Sequence, residues 1–172
     1  LKINDKTTEY MVITKMFQQD IASNVVLHVG NAEVRPSSTA RNLGVIFDST
    51  LSMKPQISNI CRSVHCHLRK IGSIRALLTT EATEQLIHSL ITSQLDYCNV
   101  LLEGIPTCLL NRLQSLQNCA ARIVSRSRKY DHITPVLRQL HWLPVRQRIL
   151  FKLLLFTYKA LHGLSPSHIQ SL

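Results

Sequence analysis

The stretch MKPQISNICRSVHCHLRKIGSIRALL, residues 53–78, decides the class of fold because its apolar side chains recur every three or four residues. This spacing collects them on one face of an α-helix, and such a face needs a core to pack against. The opposite face carries Arg62, His65, Arg69 and Lys70. The predicted buried stripe consists of Ile57, Ile60, Cys61, Val64, Leu68, Ile71, Ile74 and Leu78.

Downstream of this stretch, the helical pattern repeats. Thr80-Glu81-Ala82-Thr83 is typical of a helix start and predicts a second helix, which Gly104 and Pro106 end. A third helix is predicted over about 107–126, with Gln117 in its apolar stripe, and a short one over 134–140. Pro144 then opens a last long helix that Gly163 closes.

The residues upstream indicate short strands instead. Residues 8–14, 25–29 and 42–48 read as strands, with Gly44 inside the third, and 35–40 as a loop. Residues 32–34 are predicted to pair back on the second strand across Gly30-Asn31. The expected fold class is therefore α+β, with a short antiparallel β segment followed by a mainly α-helical bundle.

The charge of the chain is concentrated in its last third. The net charge is +10, yet residues 1–53 carry equal numbers of acidic and basic side chains. Residues 104–172 carry many Lys and Arg residues and a single acid, Asp131. Such a field attracts polyanions, nucleic acid first and an acidic protein or membrane surface second. Solubility alone is the simpler alternative.

The cysteines and the apolar runs bear on location and metal binding. Five cysteines without a CxxC pair or a secretory signal predict free, mostly buried thiols and an intracellular protein, nuclear or cytoplasmic and not secreted. Cys61 and His65 share a helix face, but no second ligand pair completes a zinc site, so no metal site is predicted. Since no apolar run reaches the roughly 20 residues of a membrane span, no membrane partner is expected.

A catalytic site is not predicted in this chain. The acidic residues are few and do not converge in the sequence as metal-dependent phosphoryl transfer would require. There is also no glycine-rich phosphate loop. A catalytic Cys–His or Ser–His pair, whose members are distant in the sequence and meet only in the folded chain, is the alternative.

Six stretches, taken in order, resemble the reverse transcriptases of jockey-like non-LTR retrotransposons (LINEs). LKINDKTTEYMVI (1–13) is similar to the segment after their catalytic Tyr-x-Asp-Asp turn, and RNLGVIFDSTLS (41–52) to their primer-grip strand. The other four are similar to their thumb and C-terminal region, and the resemblance covers almost the whole chain. They are SQLDYCNVLLEGIP (93–106), RLQSLQNCAARIV (112–124), HITPVLRQLHWLPVRQRILFK (132–152) and YKALHGLSP (158–166). The chain departs from the family at Thr7, where a lysine is expected, and at Gln56, where a histidine is usual.

The resemblance implies that the chain is a fragment of an RNA-directed DNA polymerase. Residues 1–52 would be the end of the palm with the primer-grip hairpin, 53–130 a helical thumb, and 131–172 a basic helical C-terminal region. The catalytic carboxylates would lie upstream of Leu1, so this chain alone is expected to be inactive. No cofactor is expected in it, whereas the parent enzyme would use a divalent metal ion, magnesium. Its partners would be an RNA/DNA template-primer duplex and the upstream palm and fingers. The alternative is a stand-alone basic helical module that binds nucleic acid or protein.

The same resemblance suggests which residues meet the duplex. Leu43 and Gly44 would form the primer grip, where glycine lets another backbone approach closely; a plain strand bulge is the alternative. Trp142 is interpreted chiefly as a core anchor at the start of the last helix, covering Leu143, Ile149, Leu153 and Phe156, with base stacking as the second interpretation. The predicted nucleic-acid-binding residues are Lys54, Arg62, Arg69, Lys70, Arg122, Arg126, Arg128, Lys129, Arg146, Arg148 and Lys152.

Overall fold

The computed structural model describes residues 9–14, 25–29 and 32–170 of the chain. It divides the chain into two compact units, Leu1–Ser58 and Asn59–Leu172. The predicted α+β class is confirmed, since small antiparallel strand pairs precede a series of helices. The predictions for Thr7, for residue 8 and for the Gly30-Asn31 turn lie outside the described residues.

Among its described residues, the first unit has two separate antiparallel strand pairs. Strand β1 (Leu27–Val29) pairs antiparallel with β2 (Ala32–Val34), as predicted. Strand β3 (Thr39–Asn42) pairs antiparallel with β4 (Val45–Asp48). The predicted loop 35–40 is therefore two residues too long, because Thr39 and Ala40 already belong to β3.

Two predictions about the first unit are wrong. Residues 9–14 form no strand; instead the Thr14 amide donates to the Ser49 carbonyl (3.0 Å) and the Tyr10 carbonyl accepts from the Ser37 amide (2.9 Å). Gly44 is not inside a strand either. Leu43 and Gly44, with φ of 46° and 83°, form the two-residue turn between β3 and β4. Positive φ at both turn positions matches the right-handed twist of the strands they join.

Two side chains tie β4 to the next element, helix α1 (Lys54–Ile74). The Asp48 carboxylate accepts hydrogen bonds from the amides of Ser52 (3.0 Å) and Met53 (2.9 Å) and from the Thr50 hydroxyl. Gln56, which is buried, accepts one from the Ile46 amide through Oε1 (3.0 Å). Asp48 therefore fixes the chain that leads into α1 and satisfies donors that would otherwise be buried without partners.

Neutralising Asp48 is expected to lower stability at neutral pH and to flatten its dependence on pH. Burial raises the pKa of this carboxyl, but the hydrogen bonds from Thr50, Ser52 and Met53 outweigh burial and hold the pKa below its ordinary value. Its stabilisation is therefore present above the unfolded-state pKa and is lost as the pH falls through the lower, folded-state pKa. Asp48→Asn should cost about 1 kcal/mol near pH 7, measured by urea unfolding.

The control for Asp48→Asn is Glu81→Gln, which neutralises an exposed carboxylate in a first helical turn. Between about pH 6 and pH 3, the Asp48 variant should lose less stability than the wild type, whereas the control should follow the wild type. A parallel decline of both variants with the wild type would contradict the assigned role of Asp48.

Helix α1 buries the predicted stripe from Ile57 to Ile71. The α-helix ends at Ile74, whose side chain is exposed, and a 3-10 turn follows over Arg75–Leu77. The prediction that the helix runs to 78 is therefore slightly too long. The basic face of α1 is exposed to solvent, as the spacing of its apolar residues predicts.

The second helix starts at Thr80 as predicted, but its cap is the preceding threonine and it ends earlier than predicted. Helix α2 (Thr80–Ile87) is capped by Thr79, whose hydroxyl accepts from the Ala82 amide (3.2 Å). It continues through a π-helical stretch, His88–Thr92, into the short helix α3 (Ser93–Asp96). The single helix predicted up to Gly104 is wrong, because Cys98 adopts a left-handed backbone (φ 50°) that ends α3 before the 3-10 turn Asn99–Leu102.

The remaining boundaries agree closely with the predictions. Helix α4 spans Thr107–Ser125, α5 Ile133–Gln139, α6 Val145–Leu161 and α7 Ser167–Gln170. Pro144 precedes the first turn of α6, and Gly163 (φ 68°) follows its end. Among the described residues, no helix combines the length and apolarity that crossing a membrane demands.

Helix α4 is central to the second unit, since it contacts α2, α5 and α6. Its buried side chains include Leu113, Leu116, Ala120 and Val124. Two sets of polar contacts hold it against neighbouring segments: one formed by Arg75 at its C-terminal end and one formed by Gln117 near its middle.

Arg75 is a buried arginine at the C-terminal end of α4. Its Nε donates to the Ile123 carbonyl (2.7 Å), one terminal nitrogen to Val124 (2.9 Å) and the other to Leu78 (2.8 Å). The last carbonyls of a helix have no partner within it and carry partial negative charge, so a cation is stabilising there. Arg75 thus caps α4 from a distant part of the chain.

Gln117 and Gln114 hold the start of α6 against α4. The buried Gln117 donates to the Leu143 carbonyl (2.8 Å), and Gln114 accepts from the Val145 amide (2.8 Å). The two glutamines are themselves hydrogen-bonded at 2.9 Å. This pair explains the polar residue at position 117 in a stripe that otherwise predicts apolar side chains.

Candidate nucleic-acid interface

The outer face of α1 presents a row of cations. Arg62, Arg69 and Lys70 are exposed, as is His65 between them. Arg62 and Arg69 are seven residues apart, which places them on nearly the same line, about 10 Å apart along the helix axis. Helix α1 contains no acidic residue that could neutralise them. Its inner face is buried, so the helix supplies both an apolar packing side and a cationic outer side.

The loop after α4 presents a second group of cations. Arg126, in a left-handed conformation (φ 55°), ends the helix, and Arg128 and Lys129 follow; all three are exposed. The Asp131 carboxylate accepts from the backbone amide of Arg128 (2.7 Å). The single acid of residues 104–172 therefore braces the backbone of this loop. A terminal nitrogen of Arg122 also donates to the Asp131 carbonyl (3.3 Å).

The three predicted cations of α6 have different surroundings. Arg146 is exposed and Lys152 is partly buried. Arg148 is held internally: one terminal nitrogen is 2.7 Å from an Asp96 carboxylate oxygen, and Nε donates to the Leu143 carbonyl (2.8 Å). The Arg148 side chain is only 17% exposed and its charge is paired with that of Asp96, so it is less available to a phosphate than the exposed cations are. We therefore regard Arg148 mainly as a tie between α3 and α6.

One predicted nucleic-acid-binding residue, Lys54, and the two residues of the predicted primer grip lie in the first unit. Lys54, the first residue of α1, is exposed. Leu43 is at the tip of the β3–β4 hairpin with 82% of its side chain exposed. The bulge alternative for Gly44 is wrong, because the residue occupies a tight turn.

Trp142 belongs to the core. It is 6% exposed, and its ring meets that of His88 edge to face at 5.4 Å between centroids. Its amide donates to the Leu137 carbonyl (2.8 Å) at the end of α5. The structural interpretation is confirmed, and so small an exposed fraction argues against base stacking. The stripe it was expected to cover is only partly buried, since Leu143 and Phe156 are each half exposed.

The exposure of the cysteines differs from the prediction. All five cysteines are free, but only Cys61 is buried, so the prediction of mostly buried thiols is wrong. Cys66, for instance, points outward with the polar face of α1. Within residues 9–14, 25–29 and 32–170, no group of three or more His, Cys, Asp or Glu side chains is placed to hold a metal ion.

Local sequence patterns do not predict the polar residues that organise the helices. Arg75 stands in an apolar context, Ile74 to Leu78, which was its only signal. Asp96 and Asn99 lie beside α6, whereas the predicted helix up to Gly104 gives them no particular role. Their roles depend on contacts with residues about fifty positions away, which local patterns do not encode.

Comparisons of this chain with protein-family models, with curated proteins and with solved structures find no match.

Proposed function

We propose that this chain is a part of a non-LTR retrotransposon reverse transcriptase that binds the template-primer duplex and does not itself supply the catalytic carboxylates. The proposal rests on the ordered motifs of the sequence and on one structural observation. That observation is the row of exposed cations on α1, opposite a buried apolar face and without acidic neighbours in the helix. The upstream palm and fingers would complete the enzyme, including its magnesium site.

Such a surface binds through charge and position. Lys and Arg side chains that neutralise phosphates release condensed counterions, so affinity falls steeply as salt rises. Phosphate contacts fix a duplex in place without reading its sequence. Both properties suit a polymerase thumb, which must hold any template-primer as it moves.

Replacing Arg62, Arg69 and Lys70 by glutamine is expected to weaken binding of an RNA–DNA hybrid and to flatten its salt dependence. Each phosphate contact contributes about 0.9 to the slope of log K against log salt, so the slope should fall by about 2 to 3. Fluorescence anisotropy of a labelled hybrid, titrated at several salt concentrations with the full chain, measures both quantities.

The matched control replaces Arg112, Arg138 and Lys159, which are exposed cations outside the predicted set. It lowers the net charge by the same three units. If the slope of log K against log salt fell equally in the two triple variants, binding would depend only on net charge, which would contradict an interface on α1.

Leu43→Asn tests the primer grip at the hairpin tip. Asparagine is favoured at turn positions with positive φ, so the hairpin should be kept or slightly stabilised. If the exposed leucine side chain contacts the primer strand, affinity for a hybrid with a recessed primer end should fall about threefold to tenfold, as expected for about 1 kcal/mol of lost apolar contact. Leu77→Asn, at another exposed leucine, is the control. Equal affinity of Leu43→Asn and wild type would argue against the grip.

A second candidate function is suggested by α6. The helix exposes six large apolar residues and contains cations but no acid. These are Leu150, Phe151, Leu154, Phe156, Tyr158 and Leu161. This face favours a stand-alone module that binds an acidic partner protein. Binding of an acidic protein without any binding of nucleic acid in the salt titration would favour this function over the first.

A further inference from the structure

A pocket of about 270 Å³ lies where the end of α3 and the following 3-10 turn meet the α5–α6 connection and the first half of α6. Phe151 was named above in the apolar face of α6, and Arg148 and Lys152 among the predicted cations, but the pocket that they line together has been given no role. Its polar and aromatic lining residues are Asp96, Asn99, His141, Arg148, Phe151 and Lys152. The pocket therefore combines an aromatic ring, an amide and charged groups within one small volume.

The aromatic and amide groups suit a planar heterocycle. Phe151 is 58% exposed, so one side of its ring is accessible for stacking. Asn99 is 3% exposed, and its amide oxygen has no hydrogen-bond partner among the described residues. Buried polar atoms are nearly always hydrogen-bonded, so a lone acceptor in a pocket wall is unusual. Rotation of this amide toward the pocket would let a ligand N–H donate to it.

The charges of the pocket select an anion. Asp96 is already paired with Arg148 at 2.7 Å, so these two groups largely cancel. Lys152 then leaves a net positive charge at the pocket. A ligand that places a negative group at Lys152 and a ring on Phe151 would satisfy both features.

The backbone on both sides of the pocket is held in an uncommon conformation. Cys98, next to Asn99, has φ of 50°, and His141 has φ of 56°. Residues other than glycine adopt this left-handed region rarely, and where they do the cost is met by the surrounding structure. Strain of this kind concentrates at binding sites, and here it places Asn99 and His141 in the pocket wall.

We propose that this pocket binds one unpaired nucleotide, with its base stacked on Phe151 and hydrogen-bonded to Asn99 and its phosphate at Lys152. The inference rests on the proposed function, since the nucleotide would belong to a strand held by the cationic surfaces. It adds a preference that those surfaces lack, namely for a duplex with a single-stranded extension. A free mononucleotide offers the same chemistry, and the test separates the two sources.

The test compares a blunt RNA–DNA hybrid with the same hybrid carrying a short single-stranded overhang, using anisotropy and the full chain. Stacking of one base on an aromatic side chain makes the overhang hybrid bind about tenfold more tightly than the blunt one in the wild type. Phe151→Ala should abolish this ratio while leaving affinity for the blunt hybrid unchanged. Phe151→Tyr, which keeps the ring, should preserve it. Lys152→Gln should reduce it.

Matched controls lie on the same helix. Phe156 and Lys159 are exposed residues of α6 outside the pocket, so Phe156→Ala and Lys159→Gln should keep the overhang ratio. Loss of the ratio in Phe156→Ala as well would overturn the inference, as would a Phe151→Ala variant that keeps it. Far-UV circular dichroism establishes that each variant folds.

Competition with a mononucleotide identifies the source of the ligand. If millimolar adenosine monophosphate removes the overhang preference, the pocket accepts free nucleotides; if the preference persists, the pocket requires a strand. Absence of the preference in the wild type would overturn the pocket inference alone. Absence of salt-dependent binding to the blunt hybrid would instead overturn the proposed function.

Discussion

Replacing Trp142 by alanine is expected to lower the free energy of unfolding by about 3–5 kcal/mol. The indole is almost fully buried and meets His88 edge to face, so the truncation removes a large packed surface and leaves a cavity between α2 and the start of α6. Because Trp142 is the single tryptophan of the chain, unfolding should be followed by far-UV circular dichroism rather than by tryptophan fluorescence.

Trp142→Phe separates the contribution of aromatic packing to stability from that of the polar indole N–H. The indole N–H has no hydrogen-bond partner among the described residues, so phenylalanine loses no such bond and keeps an aromatic ring. This variant should cost less than about 1.5 kcal/mol. Similar losses for Trp142→Phe and Trp142→Ala, or a loss below 1 kcal/mol for alanine, would contradict the role of the indole as the packing anchor of α6.

Replacing Arg75 by methionine is expected to lower the free energy of unfolding by about 3 kcal/mol. The variant loses three hydrogen bonds from a charged donor, each worth about 1.5–3 kcal/mol, although methionine recovers part of the loss by packing. The carbonyls of Ile123 and Val124 would then lack these donors at the end of α4. Urea unfolding gives the loss, and hydrogen exchange should show faster exchange in the last turn of α4.

Arg75→Lys and Arg69→Met complete this experiment. Lysine keeps the charge but lacks the planar fork that reaches three carbonyls, so it should recover only part of the stability. Arg69 is exposed on the same stretch of helix, and its replacement should change stability by no more than about 0.5 kcal/mol. If Arg75→Met resembled Arg69→Met, the capping role of Arg75 would be refuted.

The helical part of the fold was largely predictable because its signals are local. Pro144 and Gly163 mark the ends of α6 by their own backbone preferences, and the apolar period of α1 predicts both its buried stripe and its exposed cations. The break at Cys98 was not predictable, because cysteine is no turn former and its left-handed backbone depends on the surrounding packing. Residues 9–14 have a strand-like composition, yet a strand also needs a partner, which composition does not specify.

For the cations of the candidate interface, the sequence predicts which side chains are exposed better than it predicts which are paired with other residues of the chain. Arg62 and Arg69 are exposed because the helical period places them opposite the core. Arg148 follows the same pattern in the sequence, but Asp96, 52 residues away, binds it in the folded chain. The pocket beside Arg148 is equally invisible to local patterns, because three separate segments line it.

The π-helical stretch His88–Thr92 has a consequence for how the gene can vary. Thr83, Ile87, Ile91 and Leu95 are all buried and recur every four residues, a spacing that drifts around a regular α-helix. A wider π turn holds more residues and corrects this drift. Loss of one codon inside the stretch would convert it to ordinary α-helix and swing Leu95 away from the core. Lineages that carry such a deletion should therefore also carry a compensating apolar codon one position away.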